Sequence, residues 1–432
     1  MLSYVKTRLA GSILFIVFVA AQLPFCVYGQ NEIKTLSLSE AIEIGLKNNP
    51  EIRSARENIS ASKGKFWSGI SLPQPEVGIS YEYTPVNKSL SNYGEKTISF
   101  SQSFEFPSNY FLKGNKLSKE ESAAACKLQL TERSVIYKVK TGYYKALAKQ
   151  AQVKLAEENL KISEDFYKKA GIRENVGEGT NLEKLTAKVQ YTEAINNLEI
   201  AKNELKSAEA ELNYSLGYGK QSYNSKIKLA DSLAFTDNKI DYEKIYKSVA
   251  ETNPQIKIAE LNYGISSVEK GIAWSSLLPN FNLAYFKQSR EGDAGYYGAS
   301  FGISVPLWFM FDQRGKIEEA SANQSMLEAE LQSTQNEIDL KLNNAITDHE
   351  NNLKQVKFYL EEILPQAQEI YRSAVKSYDA GELTYLEYLQ ARQTLINSRK
   401  NYINVLLSYY QSVFSIEEIA GTNSIEKLEL EK

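Results

Sequence analysis

The chain has one histidine, two cysteines and three methionines in 432 residues. So few imidazole and sulfur ligands argue against a dedicated metal cage. Cys26 falls in the amino-terminal leader, and once it is removed Cys126 has no partner for an internal disulfide. Neither sign of charge dominates: without Lys6 and Arg8, 48 basic residues against 53 acidic ones give a formal charge of −5. That excludes the basic surface of a nucleic-acid partner. Gly177-Glu178-Gly179 is no phosphate loop, because no strand precedes it and no lysine stands at the right place behind it. His349 is the single candidate base, and Asp348 and Glu350 beside it point in different directions on a helix. The expectation is a solvated histidine in a protein that is not an enzyme and carries no cofactor.

Long apolar runs are also scarce. The run Ile13–Ala21 follows Lys6 and Arg8 and precedes small residues, the layout of a secretory signal over residues 1–29 with cleavage after Gly29. It is too short for a confident transmembrane helix. Phe25 is too large for the small residue expected before a lipidated cysteine, so the mature chain should begin at Gln30 without lipid on Cys26.

What the chain does contain is one turn written twice. Gly381 can take the left-handed conformation that ends a helix, and Thr384 and Glu387 form the T-x-x-E box that starts another. Gly177, Thr180 and Glu183 repeat the device. Gly381 minus Gly177, Asn253 minus Asn49 and Gly421 minus Gly217 each give 204. That is far beyond a solenoid period, so each copy is a half-molecule with its own strands and long helices. The expected organisation is a first repeat over 30–217, a linker over 218–241, a second repeat over 242–421 and a charged tail over 422–432.

Each copy opens on short helices. Ser39 is a plausible cap for the first of them, and the residue before Pro50 disfavours its continuation. Then the period changes to 2. Val77, Ile79 and Tyr81 alternate with Gly78, Ser80 and Glu82, and a second run carries Ile98, Phe100 and Phe104, a hairpin over about 76–106. The second copy repeats it over about 280–305. One face is apolar and aromatic, the other small or polar, and no neighbouring helix has a spare apolar face to cover it. Such strands suit a tilted membrane strand, with Tyr110, Phe111, Trp308 and Phe309 as interfacial aromatics. Four strands cannot close a barrel, since the smallest membrane barrels need about eight, and a membrane forbids open sheet edges. Three copies would supply twelve.

A helix of roughly 80 Å should run from about Lys116 to Lys169. Its return, from Thr180 to about Leu216, carries Leu198, Ala201, Leu205, Ala208 and Leu212 at coiled-coil spacing. In the second copy the seam runs from Leu353 through Val356, Leu360, Ile363, Ala367 and Ile370 to Ala374. Pro365 interrupts it and should kink the helix. The aligned residue of the first copy is Lys161.

Ile363-Leu-Pro-Gln-Ala-Gln-Glu-Ile and Tyr378-Asp-Ala-Gly-Glu-Leu-Thr-Tyr-Leu-Glu-Tyr-Leu-Gln-Ala resemble TolC-type outer-membrane efflux proteins. So does the opening Leu-Ser-Glu-Ala-Ile-Glu-Ile-Gly-Leu-Lys-Asn-Asn-Pro-Glu-Ile. Ser101-Gln-Ser-Phe-Glu-Phe-Pro is most similar to the cation-efflux branch of CusC and CzcC. The resemblance implies an α+β membrane protein: a homotrimer with a twelve-stranded transmembrane β-barrel in a Gram-negative outer membrane, four strands per chain. A long α-helical coiled-coil barrel continues it into the periplasm. It implies an exit duct for substrates, metal cations among them, with a periplasmic adaptor and an inner-membrane pump of RND type as partners beside the lipid bilayer. By the same resemblance Glu183 and Glu387 would ring a periplasmic aperture, favouring cations and raising their own pKa values. Gly177, Thr180, Gly381 and Thr384 would form the adaptor-docking turns. The alternatives are a type I secretion duct and a periplasmic helical scaffold without a pore.

Overall fold

The computed structural model describes residues 35–220, 227–237, 240–290 and 295–421. The signal segment, Cys26 and the charged tail lie outside them. A short strand β1 (Thr35–Leu36) leads into helix α1 (Leu38–Asn48). The cap is Ser37 and not Ser39, because only Ser37 has an acid three residues on: Glu40 closes the capping box. Asn49 ends α1 and, with Pro50 behind it, starts α2 (Pro50–Gly69). Its side-chain amide reaches across to the Ser215 carbonyl at 3.2 Å.

Strands β2 (Glu76–Glu82) and β3 (Glu95–Phe104) follow as an antiparallel hairpin. Helix α3 then begins at Pro107, whose fixed φ suits a first helical position, and runs 69 residues to Asn175. At 1.5 Å per residue it is about 100 Å long, longer than the sequence pattern suggested. Its early start places Tyr110 and Phe111 in the opening two turns of the helix and not at the strand end. The return helix α4 (Asn181–Ser215) packs along it.

The connecting segment forms β4 (Lys228–Leu229), parallel to β1. The elements then recur: α5 (Tyr242–Thr252), α6 (Pro254–Ser275), β5 (Asn280–Arg290), β6 (Tyr296–Ser304), α7 (Asp312–Phe358), a π-helical turn (Tyr359–Ile363), α8 (Leu364–Asp379) and α9 (Tyr385–Ala420). The expected break at Pro365 takes the form of this π turn in the residues just before it.

Two apolar cores sit where the short helices meet the long ones. The first gathers Ala41, Ile52, Val135, Val139, Tyr143 and Leu212. The second gathers Ile245, Ile256, Ile338, Leu342, Ile346 and Ile416. Ala41 against Ile245 and Leu212 against Ile416 differ by 204, but Val135 against Ile338 and Tyr143 against Ile346 differ by 203. Towards the tip, buried Ser163 against Ala367 and Ala170 against Ala374 give 204 again. One extra residue has entered between Ile346 and Ala367, where the π turn lies. A π turn accommodates one inserted residue without rotating the helix beyond it.

The strands form one sheet in the order β2-β3-β5-β6, leaving β2 and β6 as open edges. The register stacks Val77, Phe100, Tyr285 and Ala299 in one row, and Phe104, Phe281 and Ile303 in another. This face is exposed: Val77, Phe301 and Ile303 are each more than half accessible. The opposite face is mostly small and polar, with Ser99, Ser101, Ser300 and Gly302, but it also carries Phe286 and Tyr296. A Cβ at Gly298 would meet the Phe286 ring, so a larger residue there would force that ring to move.

Candidate functional site

At the far end of the long helices lie the two turns. Gly177 and Gly381 have φ values of +78° and +77°. Glu178 N–H donates to Arg173 O at 2.9 Å and Gly177 N–H to Glu174 O at 3.1 Å. Glu382 N–H to Ser377 O and Gly381 N–H to Tyr378 O repeat the pattern at 2.8 and 3.1 Å. Both turns are thus Schellman motifs, which need the left-handed glycine. Thr180 and Thr384 cap the following helices, accepting from the Glu183 and Glu387 amides at 3.1 and 3.3 Å.

The two glutamates then part company. Glu387 completes its box, accepting from the Thr384 amide at 2.9 Å and hydroxyl at 2.7 Å. These bonds hold its carboxyl below the ordinary range, the hydroxyl contributing most. The box expected at Thr180 is only half formed. Glu183 turns away from its cap and accepts from the Tyr378 hydroxyl at 2.6 Å. Arg173 donates to the same hydroxyl at 2.9 Å and stands 3.7 Å from the Glu183 carboxylate. Burial, and then the bond to Glu183, push the Tyr378 phenol upward. Glu183, Arg173 and Tyr378 therefore join the first copy's tip to the second's. Tyr378 and Arg173 carried no role in the sequence reading. Phe166 stacks on Tyr385 at 4.6 Å and on Tyr388 at 5.3 Å beneath them, so the junction rests on an aromatic layer.

At the other end, Trp308 and Phe309 lie in the turn before α7 and are exposed, as is Phe111. Tyr110 differs from them, because its hydroxyl accepts from the Glu105 amide at 3.1 Å and locks the strand-to-helix turn.

His349 corrects an expectation. It is 1% exposed, faces Tyr409 at 5.3 Å, and its Nδ1 has no hydrogen-bond partner. Desolvation lowers its pKa. It sits among residues that fasten the connecting segment: Tyr409 donates to Thr236 O at 3.0 Å, and Lys357 pairs with Asp237 at 2.9 Å. Among the described residues, no helix is long and apolar enough to cross a membrane.

Comparison with known proteins adds the following. A family model described as outer membrane efflux protein matches residues 41–218 and again 245–422. The cobalt-zinc-cadmium resistance protein CzcC of Cupriavidus metallidurans is 21% identical, over 91% of this chain and 92% of its own. The outer membrane protein TolC of Escherichia coli is 20% identical, over 87% and 80%. Among solved structures, the Campylobacter jejuni CmeC outer membrane channel superposes with a TM-score of 0.78 at 16% identity, covering 91% of this chain and 88% of that one. CusC superposes with 0.78 at 17% identity, covering 92% and 96%.

Proposed function

This chain belongs to the outer membrane efflux protein family, and from that premise we propose that it is the exit duct of a tripartite efflux system. Its family places it in a Gram-negative outer membrane with most of the chain in the periplasm, as a duct and not an enzyme. The observation that carries the proposal is the sheet. It has four strands, two open edges, one exposed apolar face and one face that is mostly small and polar. An apolar face of that kind needs lipid, and open edges need partners. Three copies would close twelve strands around a polar lumen, which is the reading that leaves neither face nor edge unsatisfied. A scaffold without a pore leaves both unexplained.

In this reading the duplicated halves supply six helical hairpins per trimer, and their turns meet a periplasmic adaptor coupled to an RND-type pump. Open space beyond Gly381 supports docking there, since no atom outside the adjoining residues lies within 4 Å of where a Cβ would stand. The similarity to CzcC favours metal cations as cargo. Glu387, exposed on each copy, would line a cation-selective aperture, with Glu183 held behind it by Tyr378.

Single-channel recording in planar bilayers tests this. The wild-type protein should conduct and prefer cations. Glu387→Gln, which still closes the capping box, should lower that preference at low ionic strength, where screening is weakest. A protein that never conducts, or identical reversal potentials for both, would contradict the reading.

A further inference from the structure

A cavity of about 200 Å³ lies between α3, α4 and α9, away from the tip junction. Arg392 stands in its wall, 5% exposed, two helical turns beyond Thr384. Its Nη2 donates to the Asn159 carbonyl at 3.1 Å, and to the Asn159 side chain and the Ser163 hydroxyl. Its Nε is buried and has no acceptor. Among the described residues no carboxylate oxygen lies within 4.0 Å of the guanidinium, and the groups that act on its charge are the phenols of Tyr388, Tyr371 and Tyr385. A guanidinium cannot shed its proton to escape burial, and a buried charge without a counter-charge is strongly disfavoured.

The rest of the cavity wall is mixed, with Leu155, Ile200, Leu389 and Ile396 among its apolar residues, and its polar part can hold an anion. Gln152, Asn159, Gln190 and Asn197 present carboxamides to it, and Lys400 adds a second cation. Of the two carboxylates in the wall, Glu204 is neutralised by Lys149 at 2.7 Å, whereas Glu193 accepts from the Gln190 amide at 3.1 Å and keeps its charge, offset by Lys400. One water occupies about 30 Å³, so the space exceeds what a single tetrahedral oxyanion needs.

We propose that this cavity binds a small oxyanion, such as inorganic sulfate or phosphate, with Arg392 as its fixed counter-charge. Nη2 is taken by Asn159 and Ser163, which leaves the Nη1 N–H groups to donate to such an anion, with side-chain amide N–H groups of the wall beside them. The bound anion would tie α9 of the second half to the α3–α4 hairpin of the first. The proposal does not depend on the channel reading.

The test uses the full chain purified in detergent. Crystals grown in selenate should show an anomalous selenium peak beside Arg392, and Arg392→Met crystals should lack it. In solution, millimolar sulfate at constant ionic strength should raise the wild-type melting temperature saturably by about 2–4 °C. The Met variant should keep only the non-saturating response common to kosmotropic salts. Should the Met variant not fold, Arg392→Lys decides: it keeps the charge, loses the fixed planar donors of the guanidinium and should need roughly tenfold more sulfate to saturate. No peak in the wild type, or a peak retained in the Met variant, overturns the proposal. So does an unchanged sulfate response in the Lys variant, or a carboxylate from a second copy filling the cavity.

Discussion

Glu183 and Glu387 occupy the same step of the same turn, yet one caps a helix and the other joins two hairpins. The difference lies in the partner each meets. Tyr378 comes 195 residues after Glu183 and delivers a phenol to it. Tyr378→Phe removes both that bond and the one from Arg173. It should cost about 1–2 kcal/mol, speed hydrogen exchange at residues 174–184 and raise single-channel conductance. Glu387→Gln should leave stability within about 0.5 kcal/mol. Equal effects in a urea titration of the two variants would refute this division of labour. His349 makes a second prediction. Its pKa is lowered in the folded chain, so the unfolded chain binds the proton first as pH falls. Stability is therefore full above the unfolded value of about 6.5 and declines below it, by at most about 1.4 kcal/mol per pH unit. Glu418, raised by burial, has the opposite slope at lower pH. Comparing wild type with His349→Gln at each pH isolates the histidine. Parallel curves between pH 5 and 6.5 would rule it out. The burial of His349 was within reach of the sequence, because it lies four residues before Leu353 on the coiled-coil seam. Flanking Asp348 and Glu350 concealed this, although each projects about 100° to one side. The contact between Glu183 and Tyr378 carried no comparable local signal.

Helices and hairpins were legible because their periods differ and because prolines and glycines stand at their ends. The start of α3 was missed because Pro107 reads equally as the close of a strand and as a first helical residue. The π turn was half legible: Pro365 marked a disturbance, but its kind follows only from the one-residue slip between the buried positions of the two halves. That slip gives a direct prediction. Deleting Glu361, an exposed residue of the turn, should convert it to ordinary α-helix and leave Ala367 and Ala374 buried. Deleting Lys161, the aligned residue of uninterrupted α3, should rotate Phe166 and Ala170 out of the tip core and cost about 3 kcal/mol or more. Denaturation midpoints and hydrogen exchange along both helices compare the two. Equal damage from both deletions would mean that the π turn is not an absorbed insertion.

As a single chain the molecule is unfinished. Its helices bury their own seams only in part: Val356, Ala367 and Ala374 are buried while Ile363 and Ile370 remain exposed. Its sheet carries lipid-compatible residues on one face and unpaired edges on both sides. In the proposed assembly each of these features would be resolved by further copies and by a bilayer, and four strands per chain would make three copies the number that yields a twelve-stranded barrel. Alternation along the strands made the sheet legible in the sequence, whereas the rows across it depend on pairing between residues nearly two hundred positions apart, as in Phe100 with Tyr285. Native mass spectrometry of the detergent-solubilised protein tests the shared barrel most directly. A species of three mature chains, with no folded monomer surviving its dissociation, is the expected result; a stable, folded single chain that spans the membrane would contradict it.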